Sequence, residues 1–189
     1  MIKTLLTAAA ALALTGTLGA QSADNFAVNY YANANSGDYA DGTVRITNPG
    51  TSSVPGIPGN LCAMIYVFSP DQQMAECCGC YLTPDGLRTL SVNSDLTSNS
   101  LTGVTLITGA IKIVSSTPSG GSCDPRTLHP TAALRSWATH IQSTLGAITE
   151  TESLESTLSA AEQTHLQNVC RGIIGNGSGH GMCSCGSGD

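Results

Sequence analysis

The chain has 189 residues, with seven basic and thirteen acidic side chains and a formal net charge of −6 at neutral pH. It has no cluster of cations, which argues against nucleic acid and anionic membrane surfaces as partners. Aromatic residues make up only 4% of the chain, so the core must come from Leu, Ile, Val and Ala, with less burial energy per residue and room for covalent staples.

The first twenty residues read as an export signal. Lys3 supplies the positive start, Leu5 to Leu18 is an uncharged apolar run, and Leu18-Gly19-Ala20 offers small residues for cleavage before Gln21. The run is short for a bilayer, and no later segment is apolar enough to span one. The remaining 169 residues suit one domain. The expected division is a β-rich region over 21–115, a linker loop over 116–126, a helical region over 127–175 that packs on the sheet, and a Gly/Cys-rich tail over 176–189.

Strands are predicted at Phe26–Tyr31 and Thr43–Thr47, the second ended by Asn48-Pro49-Gly50. A polar loop joins them. Its Asn33, Asn35, Asp38 and Asp41 carry oxygens suited to Ca²⁺, but without the spacing of an EF-hand loop. Thr51 to Asn60 reads as a long Pro/Gly connection. Leu61 to Phe68 is continuously apolar and suits a buried central strand. Thr83-Pro84-Asp85-Gly86 is a tight-turn signal, so Cys77 to Val92 is expected to form a β-hairpin. Val104 to Val114 supplies one further strand or two short ones.

Beyond Ser115–Pro125 the period changes. Leu134, Trp137, Ala138, Ile141 and Leu145 recur at three and four, which predicts an amphipathic helix ending at Gly146. Thr149 to Leu154 reads as a short helical turn. Ser159-Ala160-Ala161-Glu162 is a capping box, and Leu166, Val169, Cys170 and Ile173 line one face of a second helix that stops at Gly175. The fold class expected is therefore α+β: an antiparallel sheet or sandwich, two amphipathic helices, and a disulfide-stapled Gly-rich C-terminal tail. The tail glycines follow a helix rather than a strand, which is the wrong context for a phosphate loop.

Eight cysteines, Cys62, Cys77, Cys78, Cys80, Cys123, Cys170, Cys183 and Cys185, all follow the signal. An oxidising destination favours disulfides at all eight. In a strand, Cys78 and Cys80 share a face and Cys77 takes the other. Their spacing is at or beyond the disulfide span, so three bonds to three different partners is the simplest arrangement, with the last two cysteines joined. Cys170 is placed to reach Cys183 or Cys185, and a cysteine of the Cys77–Cys80 cluster to reach Cys62.

The alternative is a zinc or copper site made by Cys78, Cys80, Cys183 and Cys185, with His180 nearby, although Cys-x-Cys is not the usual zinc spacing. Cys77 and Cys80 match a Cys-x-x-Cys redox pattern but not its helical context. His129, His140, His165 and His180 read as surface or boundary residues, Glu150 and Glu152 as a solvated face, and no Gly-x-Ser-x-Gly elbow occurs. No catalytic residue and no cofactor is expected. The sequence points to a secreted, non-enzymatic structural or binding protein whose partner is a protein, a polysaccharide or a second copy. Metal binding is the first alternative and an exported hydrolase the second.

Overall fold

The computed structural model describes residues 24–50, 59–141 and 147–186. The predicted export signal, most of the Pro/Gly connection and the end of the first predicted helix lie outside them. The described strands are β1 (Phe26–Tyr31), β2 (Thr43–Thr47), β3 (Leu61–Phe68), β4 (Met74–Leu82), β5 (Leu87–Ser91), β6 (Gly109–Ser116), β7 (Arg135–Ile141), β8 (Ile148–Glu152) and β9 (Glu155–Ser156). They form a five-stranded sheet in the order β4-β3-β6-β1-β9 and a four-stranded sheet in the order β5-β2-β7-β8. Every strand pairing is antiparallel.

The two sheets pack face to face. Ala63, Ile65 and Val67 of β3, with Ile111 and Ile113 of β6, meet Val44, Ile46, Leu90 and Ala138 of the other sheet in one apolar cluster. The alternate β3 residues Met64, Tyr66 and Phe68 face the other way, against Leu166, Cys170 and Ile173 of helix α1 (Ala160–Gly175). Both faces of β3 are therefore covered, which explains its unbroken apolar sequence: all eight residues are buried. Ser159 caps α1 by accepting from the Glu162 N–H at 3.1 Å. The Glu162 carboxylate does not close the capping box; it accepts from Lys112 Nζ at 2.6 Å.

The structure corrects the sequence in three places. Two amphipathic helices were expected, but Leu134 to Ile141 leads into strand β7, so α1 is the one amphipathic helix among the described residues. The Thr149–Leu154 turn is likewise strand β8 and its crossing to β9. The inward positions of β7 after Leu134 are Ser136, Ala138 and His140, so the alternation that marks a strand is hidden by polar residues. Those residues have partners inside. Ser136 Oγ and Asn29 Nδ2 both donate to Ser153 Oγ at 2.7 Å. His140 is buried rather than at the surface, bonds Thr151 Oγ1 at 2.9 Å and stacks on Tyr30 with centroids 4.1 Å apart.

Second, β4 and β5 do not form a hairpin. The Thr83–Gly86 turn carries the chain from one sheet to the other, so β4 pairs with β3 and β5 with β2. Buried Asn48, just past β2, explains the crossing. Its backbone accepts from Asp85 N at 2.8 Å and donates to Gly86 O at 3.0 Å, and its side chain reaches Leu82 O at 3.2 Å. Third, residues 104–108 are loop, and β6 is a single strand.

Gly79 of β4 lies under the loop that carries Cys123. A Cβ there would stand 2.2 Å from the Cys123 carbonyl oxygen. Gly79→Ala is expected to lower stability in guanidinium unfolding by about 1–3 kcal/mol. Gly37→Ala, with nothing within 4 Å of its Cβ, should leave the midpoint nearly unchanged.

Candidate functional site

Strand β4 is the branching point of the covalent structure. Cys77 bonds Cys170 of α1, Cys78 bonds Cys183, and Cys80 bonds Cys185. The remaining pair, Cys62–Cys123, ties β3 to the 117–125 loop. Thus Cys170 goes to β4 rather than to the tail, and Cys62 goes to Cys123 rather than to a β4 cysteine. Pleating explains the directions: Cys77 points to the helix side, while Cys78 and Cys80 point toward the second sheet.

The tail after α1 runs along the free edge of β4 as a strap. Cys77 N donates to Gly181 O at 2.8 Å, and Met182 forms a parallel bridge with Cys77. Gly181 N donates to Asn99 O at 2.7 Å, and Asn99 Nδ2 donates to Gly179 O and Met182 O at 3.0 and 3.1 Å. Further along, Ser184 gives its N–H and its hydroxyl to Asp95, at 2.8 and 2.9 Å. Asp95 also accepts from Ser91 N at the end of β5, so the strap bridges the edges of both sheets. Gly181 has φ +85°, and a Cβ there would meet Ile173 Cγ2 at 2.3 Å; only glycine fits this crossing.

Beneath the strap sits Glu76, fully buried. One carboxyl oxygen accepts from Asn99 N at 2.9 Å, and the other has no partner. Burial pushes its pKa up from 4.5 to about 7, only partly opposed by the Asn99 hydrogen bond. Tyr31 is raised above its ordinary value, first by burial and then by the nearby Glu76 charge. A carboxyl this dry favours its neutral form.

Other predicted candidates do not converge. Among the described residues, Cys78, Cys80 and Cys185 place their sulfurs within 4.8 Å of one another, but each is in a disulfide. His180 and Cys183 are not in that group; His180 Nδ1 pairs with Asn99 Oδ1 at 3.0 Å. The four histidines lie on four different elements: His129 on a loop, His140 on β7, His165 on α1 and His180 on the strap. Burial holds His140 below its ordinary pKa. The suggested Ca²⁺ loop is dispersed: Asn33 donates to Ile141 O, Asn35 to Thr97 and Leu106, while Asp41 accepts from Ser91 and Asn93. Glu150 and Glu152 are exposed on β8. Missed by sequence reasoning was Glu76, for which a lone acid beside cysteines gives no signal of burial. Also missed was a cleft of about 370 Å³ between the β3–β4 turn and α1, lined in part by Phe68, Lys112 and His165. Lys112 there lies 4.5 Å from the Phe68 ring centroid and is paired with Glu162.

No protein-family model, curated protein or solved structure matches the chain.

Glu76 makes a signed prediction. Its folded pKa is raised, so the folded state holds this proton more tightly than the unfolded chain does. The penalty is absent below about pH 4.5, grows as pH rises, and is complete above about 7, at on the order of 3 kcal/mol. Glu76→Gln should therefore stabilise the protein at pH 8.5 and have little effect at pH 4. Urea unfolding of both proteins at the two pH values checks this, and contributions from His140 and the surface acids cancel in the difference.

Proposed function

We propose that the chain is an exported, disulfide-locked structural or binding protein that performs no catalysis of its own. The observation that carries this reading is the pairing of all eight cysteines, three of them through one strand. Disulfides persist in oxidising spaces outside the cytoplasm. The bridges from β4 join residues 93, 105 and 105 positions apart. In the chain-entropy model each long closure contributes about 4–5 kcal/mol, values that do not simply add. A domain short of aromatic core gains stability from such bonds without a larger apolar interior.

A second reading is favoured by one observation. The sulfurs of Cys78, Cys80 and Cys185 lie within 4.8 Å of one another. Reduced to thiolates, they would offer three soft ligands to zinc or Cu(I). That reading requires both strap bridges to open.

The intact mass of the protein collected after export should lie eight hydrogens below that of the fully reduced chain. Free thiols carrying stoichiometric zinc or copper would replace the first reading by the second; an uncleaved, reduced chain held in the cytoplasm would remove both. The paired change Cys77→Ser with Cys170→Ser should cost about 2–5 kcal/mol in denaturant unfolding.

A further inference from the structure

The two outer faces of the sandwich differ. Helix α1 covers the five-stranded sheet, whereas the outer face of the four-stranded sheet carries no helix among the described residues. Cross-strand register places Thr89, Arg45, Trp137 and Glu152 in one row across that face. Trp137 is the only tryptophan of the chain, and it is half-buried on the outward side of β7 while Ser136 and Ala138 on either side face the core. Around it stand hydroxyl groups; Thr43 and Thr139 share a hydrogen bond at 2.7 Å.

A core tryptophan would bury more apolar area than any other residue. This chain, poor in aromatics, instead places its one indole on a polar face. The face is close to neutral in charge. Arg45 is paired with Glu150, and Arg135 with Glu155 at 2.8 Å. A polyanion finds no unpaired cation row there. A protein partner is disfavoured by chemistry: the row Thr89, Arg45, Trp137 and Glu152 offers a single large apolar side chain, where a protein interface is centred on a cluster of them. The apolar residues Leu87 and Ile148 sit at its opposite edges rather than around the indole. What remains is a ligand with flat C–H faces, many hydroxyls and no charge.

We propose that this face binds a neutral polysaccharide chain, one pyranose ring lying on Trp137 while Arg45, Glu152 and the Thr89 hydroxyl engage its hydroxyl groups. The inference rests on the reading of the chain as an exported binding protein and names its partner class. The indole supplies apolar contact to the sugar ring, and polar groups at the margin fix its orientation.

Because Trp137 is the sole tryptophan, its emission reports on this face alone. The full exported, oxidised protein is titrated with cellohexaose, xylohexaose, mannohexaose and, as the anionic comparison, polygalacturonate. At least one neutral series should give a saturable emission change and reduced quenching by acrylamide. Trp137→Ala should lower retention on the matching insoluble polysaccharide by about tenfold or more, Trp137→Phe should keep part of it, and Asn168→Ala on α1 should have no effect. The quenching measurement uses the unaltered protein and holds even where Trp137→Ala does not fold. Unchanged emission with all three neutral sugars, a response to polygalacturonate alone, or equal retention by folded Trp137→Ala would overturn the proposal. Failure in a fully oxidised, exported protein removes the polysaccharide assignment only. Free thiols or retention in the cytoplasm would remove the export reading beneath it.

Discussion

An edge strand leaves a row of backbone groups without partners, and β4 is the edge of the five-stranded sheet. Its free side is covered by other parts of the same chain: the Ala75 carbonyl accepts from Leu101 N, and Cys77 N donates to Gly181 O. Hydrogen bonds to a Gly-rich tail would not hold by themselves, because ordering that tail loses much conformational entropy. The bonds from Cys78 and Cys80 to Cys183 and Cys185 confine it in advance. Cys77, on the opposite face, anchors the helix from which the tail departs. One strand thus fixes the helix, the strap and the open side of the sandwich together.

The polar groups under the strap fit the same arrangement. Asn99 contacts the strap through its carbonyl and its side chain, and reaches Glu76 through its N–H. The seam between the sheets is therefore held by a short hydrogen-bonded chain as well as by sulfur. Glu76 is its weak point, since one oxygen is left without a partner in a dry site. The opposite side of the sandwich is closed differently. There the chain steps directly from β8 in one sheet to β9 in the other, and Ser153 at the step gathers Asn29 and Ser136.

This division of labour leaves the two outer faces free to differ. The helix side is a second apolar core, in which Tyr66 is fully buried with its hydroxyl donating to Pro125 O at 2.8 Å. The other face has no core to build. Among the described residues its central row is Thr89, Arg45, Trp137 and Glu152, with Leu87 and Ile148 at the edges. Among the described residues, a single sandwich thereby combines a covalently secured side with a polar face that carries no helix.

The sequence alone determined whatever depends on neighbours along the chain. Alternation placed β1 and β2, an unbroken apolar run placed β3 inside the sheet with both faces covered, and a Ser cap with 3.6-residue spacing placed α1. Pleating assigned Cys77 to one side of β4 and Cys78 and Cys80 to the other. Tertiary structure decided the rest. The Leu134–Ile141 stripe has the helical period locally; the inward Ser136 and His140 fit a strand because Asn29, Ser153 and Thr151 stand beside them as partners. The Thr83–Gly86 turn is compatible with a hairpin until buried Asn48 draws it to β2. Nor does spacing distinguish Cys170 from Cys185 as a partner for Cys77. That choice depends on which groups meet in space, and residues 93 positions apart carry no local record of their meeting.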